Sequence, residues 1–427
     1  MAVQPPRARV EHPGRLVPPQ PDPVPGAGRT CSPRRGVSGQ GRQLALATIA
    51  FALCFSAWGM VAPMAPKLED ELGLSNTETS IMISVPVVLG SLLRLPLGVV
   101  TDRVGGRLVF TAMLAYSAGA ALLIGFAGES YGTMLGAGLI LGTAGASFAV
   151  GIPFVADWYE ERRQGFALGV YGIGNIGTAV AAFSIPAIRG EWGQEVAGVV
   201  FAAVLGGFAL MWLSLARDAP GPRHEPPRYL EVLRSGWDLW KLSLFYFVTF
   251  GGFVAMAVFL PKLLTDWFDY SLTDAGLRAA GFTIVATAAR PVGGWLSDRI
   301  GARTVLAVAF FGVGLDAVGL SWQASDPSIV PVTIFCLTMA GFLGLGNGAV
   351  FKLVPLFFPR SKGAVTGIVG AAGGLGGFFP PLVLGVVKDA TGEFVLAFVF
   401  LVAFAWFCAG LALGMERQPA TTSPAAP

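Results

Sequence analysis

The sequence predicts an all-α polytopic membrane protein of about twelve transmembrane helices, laid out as two six-span halves in the same orientation. Three observations lead there. Apolar runs of roughly 20 residues recur along the chain, the length a helix needs to cross a bilayer. Only 13% of the 427 residues are charged and 54% are hydrophobic, whereas a soluble protein carries about 25% charge. The stretch that begins at Arg94 returns at Arg290 with its charges and glycines in register.

Each span is an apolar run bounded by polar residues. In the first half the runs are 43–65, 80–101, 108–127, 131–156, 165–188 and 196–216. In the second they are 241–264, 275–297, 304–322, 329–357, 363–387 and 394–414. Arg34, Arg35 and Arg42 precede the first span; Arg103 and Arg107 follow the second; Arg162 and Arg163 follow the fourth. Arg217, Arg223, Arg228 and Arg234 follow the sixth, Arg299 and Arg303 the eighth, and Arg360 and Lys362 the tenth. The opposite loops hold Lys67, Arg189, Lys262, Arg278 and Lys388, set among acids such as Glu69, Asp70, Glu71, Asp266, Asp269 and Asp274. The positive-inside rule then places both termini and the central loop in the cytoplasm of a multi-pass protein in the cell membrane. The net charge of +3 reflects this bias and does not suggest nucleic acid.

The implied organisation is a disordered N-terminal tail, 1–42, rich in Pro, Gly and Arg, followed by a first half over 43–216. A cytoplasmic linker over 217–240, a second half over 241–416 and a C-terminal tail over 417–427 complete it. The tail has no apolar core of the kind a signal peptide needs. No Met falls between Met1 and Met60, so a translation start near Val37 stays open. Cys31, Cys54, Cys336 and Cys408 show no paired or metal-type spacing. His12 and His224 fall in the tail and the linker, away from any intramembrane proton path. GIGNIG (172–177) and GLGNGA (344–349) mimic nucleotide-binding glycine runs, but both lie inside apolar helices with no preceding strand. No catalytic constellation and no cofactor or metal motif is present, so an enzyme is not expected.

The duplication is specific. A shift of 196 residues lays Arg94 on Arg290, Gly98 on Gly294, Asp102 on Asp298, Arg103 on Arg299, Gly105 on Gly301 and Arg107 on Arg303. A shift of 198 lays Gly165, Gly169 and Gly172 on Gly363, Gly367 and Gly370, pairing the fifth span with the eleventh. Parallel halves of this kind are related by an axis along the membrane normal, with the substrate near the midplane between them. The repeated motifs GVVTDRVGGR (98–107) and GGWLSDRIGAR (293–303) resemble the loop motif of the major facilitator superfamily, over about 43–416. That resemblance implies two six-helix bundles and alternating access by rocking. It also implies gating roles for Asp102, Arg103, Arg107, Asp298, Arg299 and Arg303.

Arg94 and Arg290 lie eight residues before the motif aspartates, which is about 12 Å deeper in the membrane at 1.5 Å per residue. An arginine at a helix centre costs ~2.5–3.5 kcal/mol even on insertion scales. Pairing with buried carboxylates explains them poorly, because the spans hold few acids, chiefly Asp316 and Asp157. The expectation is that both guanidinium groups face the cavity from opposite halves and hold an anion between them. The planar fork suits an anion with coplanar oxygens. Lys352 adds either a third positive group near the inner mouth or a snorkelling side chain. Asp316, in the ninth span, is expected to be structural or to snorkel toward the outer face rather than to carry protons.

The glycine-rich fifth span GFALGVYGIGNIGTAVAAFSIPAI (165–188) and eleventh span GAVTGIVGAAGGLGGFFPPLVLG (363–385) resemble the signatures of the nitrate/nitrite porter family. GASFAVGIPFVADWY (145–159), YFVTFGGF (246–253) and GLGNGAVFKLVP (344–355) resemble its fourth, seventh and tenth spans. The resemblance implies a substrate site at Arg94, Arg290, Asn175, Tyr246, Phe250 and Phe148: the arginines clamp the anion, Asn175 and Tyr246 donate hydrogen bonds, and Phe148 and Phe250 flank it. Aromatic faces repel anions, so the rings would act through shape. The expected function is secondary transport of nitrate, nitrite or both by a monomer in membrane lipid. It would run by nitrate–nitrite exchange or by proton-coupled uptake. A carrier for another small anion, such as oxalate or formate, is the alternative. A sensor that binds the anion without transport lacks an output domain.

Overall fold

A computed structural model describes residues 39–74, 76–127, 130–220, 229–234, 236–270, 272–391 and 395–415. The expected tails, apart from the first helical turn at 40–42, lie outside these residues, as do His12, His224, Cys31, Arg223 and Arg228. Among the described residues the regular structure is entirely helical. In the apolar solvent of a bilayer this satisfies every backbone group within its own segment.

The first span is α1 (Gln40–Trp58), which turns at Gly59 into α2 (Val61–Leu72). The second is α3 (Asn76–Leu92) continued across Leu93 by α4 (Arg94–Val104), and the third is α5 (Gly106–Phe126). The fourth is α6 (Tyr131–Gly142) and α7 (Ser147–Trp158), joined by a 3-10 turn at Thr143–Ala146. The fifth begins with α8 (Glu161–Gly172) and passes a 3-10 turn at Ile173–Ile176 into α9 (Gly177–Leu215). Gly193, with φ 88° and ψ 170°, breaks α9 and separates the fifth span from the sixth. A positive φ there is a conformation that glycine adopts without a Cβ penalty.

The central link carries a short helix, α10 (Tyr229–Leu233). The second half follows with α11 (Trp237–Tyr246), a π turn at Phe247–Gly251 and α12 (Gly252–Phe268), which together make the seventh span. The eighth to twelfth spans are α13 (Leu272–Ile300), α14 (Ala302–Gln323), α15 (Ile329–Phe357), α16 (Lys362–Thr391) and α17 (Val395–Leu413). Nine helical stretches among the described residues are long and apolar enough to cross a membrane, one of them containing both the fifth and sixth spans. Helices α13 and α16 supply the eighth and eleventh spans.

Large apolar side chains on the outer surface, such as Leu210 at 72% and Trp322 at 75% exposure, match a lipid-facing perimeter. Inside the first half, Trp212 of α9 packs 5.0 Å from Phe110 of α5 and 5.3 Å from Phe154 of α7. Its Nε1 donates to the Arg107 carbonyl at 2.9 Å. This one side chain therefore joins the third, fourth and sixth spans. In the second half Trp406 of α17 plays a related part, donating to the Phe311 carbonyl of α14 at 3.2 Å. At the end of the first half away from the repeated motifs, Arg189 is buried and ion-paired with Glu71 of α2.

Truncating Trp212 opens a cavity among three spans. Trp212→Ala is expected to cost about 3–5 kcal/mol and to lower the melting temperature of detergent-solubilised protein, followed as monodisperse protein surviving heating. Trp212→Phe should lose distinctly less.

Candidate substrate site

Arg94 opens α4 and Arg290 lies in the middle of α13; they are 2% and 3% exposed. Arg94 Nε donates to the Gly145 carbonyl at 3.2 Å and Nη1 to the Gly370 carbonyl at 2.5 Å. Arg290 Nη1 reaches the Gly172 carbonyl at 3.5 Å. Gly172 and Gly370 are the glycines that the duplication superposes. Each arginine thus reaches across to the equivalent carbonyl of the other half. Local backbone geometry provides some of these acceptors: Gly145 lies in one 3-10 turn and Gly172 directly precedes the other, where the i→i−4 ladder is interrupted and carbonyls are released. Neither arginine has an ion pair among the described residues. Arg290 Nε and Nη2 are buried and complete no hydrogen bond, although the guanidinium interacts with the nearby Tyr246 hydroxyl.

One ring holds both charges. The Phe250 centroid is 5.4 Å from Arg94 Cζ and 5.5 Å from Arg290 Cζ, a cation–π contact with each. Phe253 adds a second ring 5.6 Å from Arg290 Cζ. Tyr246 stacks on Phe250 at 4.9 Å and 8°, and Phe148 stacks on Tyr246 at 5.9 Å and 6°. The three rings form a near-parallel series with Tyr246 in the middle, so Phe148 and Phe250 do not face each other directly across a slot. The contact of Phe148 with Tyr246 joins the two halves. Phe351 of α15 closes the series edge-on, 4.7 Å from Phe148 and 4.6 Å from Tyr246, and Tyr171 and Phe51 extend it into the first half. The π turn lies between Tyr246 and Phe250, and Gly373 leaves room for the Tyr246 ring: a Cβ there would lie 2.2 Å from it.

Asn175 is buried in the second 3-10 turn, and its Nδ2 donates to the Gly172 carbonyl at 2.7 Å. Amide and Arg290 therefore converge on one acceptor. The Tyr246 hydroxyl lies within electrostatic reach of both arginines and has no completed hydrogen bond. The arrangement offers donors from two guanidinium groups, an amide and a phenol around an aromatic wall, in a protein interior with little water.

The repeated motifs lie at the end of the molecule that carries α1 and the end of α17, and here the halves are locked together. Asp102 accepts from the N–H groups of Gly363 and Ala364 at 2.9 and 3.0 Å. Asp298 accepts from Gly165 and Phe166 at 3.1 and 2.9 Å. Asp102 caps the first turn of α16 in the opposite half, where the helix dipole favours a carboxylate, whereas Asp298 reaches the second turn of α8, whose first residue is Glu161. Lys362 pairs with Asp157 across the halves at 2.6 Å. Lys352 pairs with Asp298 at 2.9 Å and donates to the Glu161 carbonyl, so it neither lines the path as an unpaired cation nor snorkels.

The motif arginines do different work. Arg107 binds the Leu213 carbonyl of its own half through its side chain and Asp218, at the start of the linker, through its backbone N–H. Arg303 binds the Leu413 carbonyl in its half. Arg299 stacks on Trp295, 4.2 Å from its ring, and Arg103 is exposed. Of the residues expected to gate, only the aspartates bridge the halves in this conformation. The same glycines line both seams. A Cβ on Gly165 would lie 2.4 Å from the Gly294 carbonyl and 2.6 Å from Asp298, and one on Gly363 would lie 2.3 Å from the Gly98 carbonyl and 2.5 Å from Asp102.

Sequence reasoning missed Phe351, Tyr171 and the backbone acceptors Gly145 and Gly370. A carbonyl bears no side-chain signature, and an aromatic in an apolar helix looks like any core residue. Asp316 accepts from Thr338 of α15 at 2.8 Å, in line with a structural part.

The sequence profile of the Major Facilitator Superfamily matches residues 47–381. A probable nitrate/nitrite transporter of Mycobacterium tuberculosis, NarK2, is 39% identical over 388 residues, covering 89% of this chain and 98% of that protein. The nitrite extrusion protein of Bacillus subtilis is 38% identical over 365 residues, covering 84% and 90%. Among solved structures, the human organic anion transporter MFSD10 superposes with a TM-score of 0.73 at 17% identity, covering 87% of this chain and 99% of that one.

The two aspartates, at about 0.5–2 kcal/mol each for backbone N–H contacts of this kind, shift an open–closed balance by roughly five- to a thousand-fold together. Gly165→Ala and Gly363→Ala wedge the seams without entering either half's own core. Each is expected to speed maleimide labelling of a Ser361→Cys reporter several-fold relative to the reporter alone.

Proposed function

The chain belongs to the Major Facilitator Superfamily, and on that premise we propose that it carries nitrate, nitrite or both across the cell membrane by alternating access. It is a transporter and not an enzyme. The observation that carries the substrate reading is the arginine pair: one guanidinium from each half, both buried, both on the Phe250 ring, neither ion-paired. Two such cations attract an anion strongly in a low dielectric. Their planar forks match coplanar oxygens, and the wall of parallel rings favours a flat ligand over a bulky one. Relatives named for nitrate and nitrite transport share 38–39% of their residues with it.

In this reading Arg94, Arg290, Asn175 and Tyr246 hold the anion, and Phe148 and Phe250 shape the site. The halves 43–216 and 241–416 rock about the arginine level. Asp102 and Asp298 latch the motif end, which the positive-inside rule assigns to the cytoplasm together with both termini. The conformation described here would then be closed to the cytoplasm. Opening that end parts Arg94 from the Gly370 carbonyl and Arg290 from the Gly172 carbonyl. A carrier without its anion would have to reorient with two buried cations and fewer acceptors, which is costly. Obligatory exchange of nitrate for nitrite follows naturally. Lys352 is held by Asp298, which weighs against proton coupling through it, whereas Asp316 accepts from Thr338 at Oδ1 and has a buried Oδ2 that completes no hydrogen bond.

Purified protein in proteoliposomes preloaded with nitrite, nitrate or neither tests this. Nitrate uptake is expected only with an anion inside, and not from an inward proton gradient alone. Arg94→Lys and Arg290→Lys keep the charge but lose the fork and one hydrogen bond, lowering nitrate affinity by about 10- to 100-fold. If neither anion moves and both variants behave like wild type, the substrate reading fails; uptake of formate or oxalate instead would replace it.

A further inference from the structure

Asn347 stands in GLGNGAVF (344–351) on α15 and is 3% exposed, yet neither its Nδ2 nor its Oδ1 has a hydrogen-bond partner. A buried amide unpaired at both ends is costly and needs a reason. Its direction follows from its neighbours on the helix. Gly344 and Gly348 lie against α13: a Cβ on the first would be 2.1 Å from the Ala286 carbonyl, and on the second 2.2 Å from the Arg290 carbonyl. Gly346 lies against Thr249 and Leu343 against Gly252, both of the seventh span. At about 100° per residue, Asn347 falls between these two faces and points into the wedge between the seventh and eighth spans. Phe351, one turn on, points the same way and meets Tyr246 and Phe148 edge-on. Arg290 of α13 lies over Phe250 and Phe253 of the seventh span and interacts with Tyr246, and neither its Nε and Nη2 nor the Tyr246 hydroxyl completes a hydrogen bond.

We propose that Asn347 is a further residue of the anion site: Nδ2 donates to an anion oxygen while Oδ1 accepts from the Arg290 guanidinium and holds it in register. The proposal rests on reading the arginine pair as an anion site. It accounts for the amide's orphaned acceptor, which an anion cannot satisfy but a neighbouring guanidinium can. It also separates binding from folding. An amide kept for packing would be paired in the protein's own structure, and replacing it by an apolar residue of similar size would harm stability. An amide kept for a ligand would do the opposite.

The test uses full-length purified wild type, Asn347→Leu and Asn347→Asp, with sodium nitrate and sodium nitrite as probes. Melting temperature without added anion and dissociation constants from titrated thermal shifts are measured. Asn347→Leu is expected to melt no lower than wild type without anion and to bind nitrate about ten-fold or more weakly. Asn347→Asp, acceptor-only and negative, should abolish binding. If Asn347→Leu does not fold, Asn347→Ala is read in the same way. A folded Leu or Ala variant with wild-type affinity for both anions overturns the role of Asn347 alone. Wild type that binds neither anion overturns this role and the substrate reading together.

Discussion

The structure is organised around two positive charges that have no business in a membrane unless the fold provides for them. Arg94 and Arg290 are buried without carboxylate partners, so their desolvation must be met by other means. Backbone carbonyls meet part of it: Gly145 and Gly370 for one, Gly172 for the other. An aromatic ring that both share meets another part. The remaining donors of Arg290 are left for something else. Many irregularities of the helices lie at this level. Two 3-10 turns interrupt the fourth and fifth spans beside the arginines, and a π turn interrupts the seventh at Phe250.

Duplication explains why the two halves can share this centre. Each half contributes an arginine, a glycine carbonyl for the other half's arginine, and an aspartate that accepts from a helix of the other half. Contacts between the halves are therefore largely reciprocal, and the seams are lined by glycine so that backbones approach closely. Symmetry fails at the countercharges. Lys352 pairs with Asp298 inside the second half, whereas Lys362 pairs with Asp157 of the first half. Separating the halves breaks the second pair and leaves the first intact. Lys352 nonetheless also donates to the Glu161 carbonyl of the first half, so opening costs each lysine a contact across the seam.

Much of this was legible in the residues. Hydropathy located the spans, and the 196-residue shift exposed the parallel duplication. Arg94 and Arg290 stood out because charge is rare in such runs, and Gly165, Gly169, Gly172 and their partners stood out by spacing. What escaped was whatever lacks a side-chain signal or depends on a distant neighbour. Asn347 was visible inside a G-x-G-N run like that of Asn175, yet nothing in one dimension says which amide is left unpaired.

The sequence alone therefore determined the class of molecule, its helices, its twofold plan and the positive charges at its centre. These rest on local rules, since a bilayer imposes length and hydropathy on each segment independently. Tertiary structure alone decided that the arginines share one ring, that Tyr246 stands between Phe148 and Phe250, and that the aspartates rather than the motif arginines bridge the halves. It also turned Lys352 from a candidate cation of the path into the partner of Asp298. Those outcomes depend on which faces of twelve helices meet, a matter of packing between residues as far as 276 positions apart, and no local pattern encodes it.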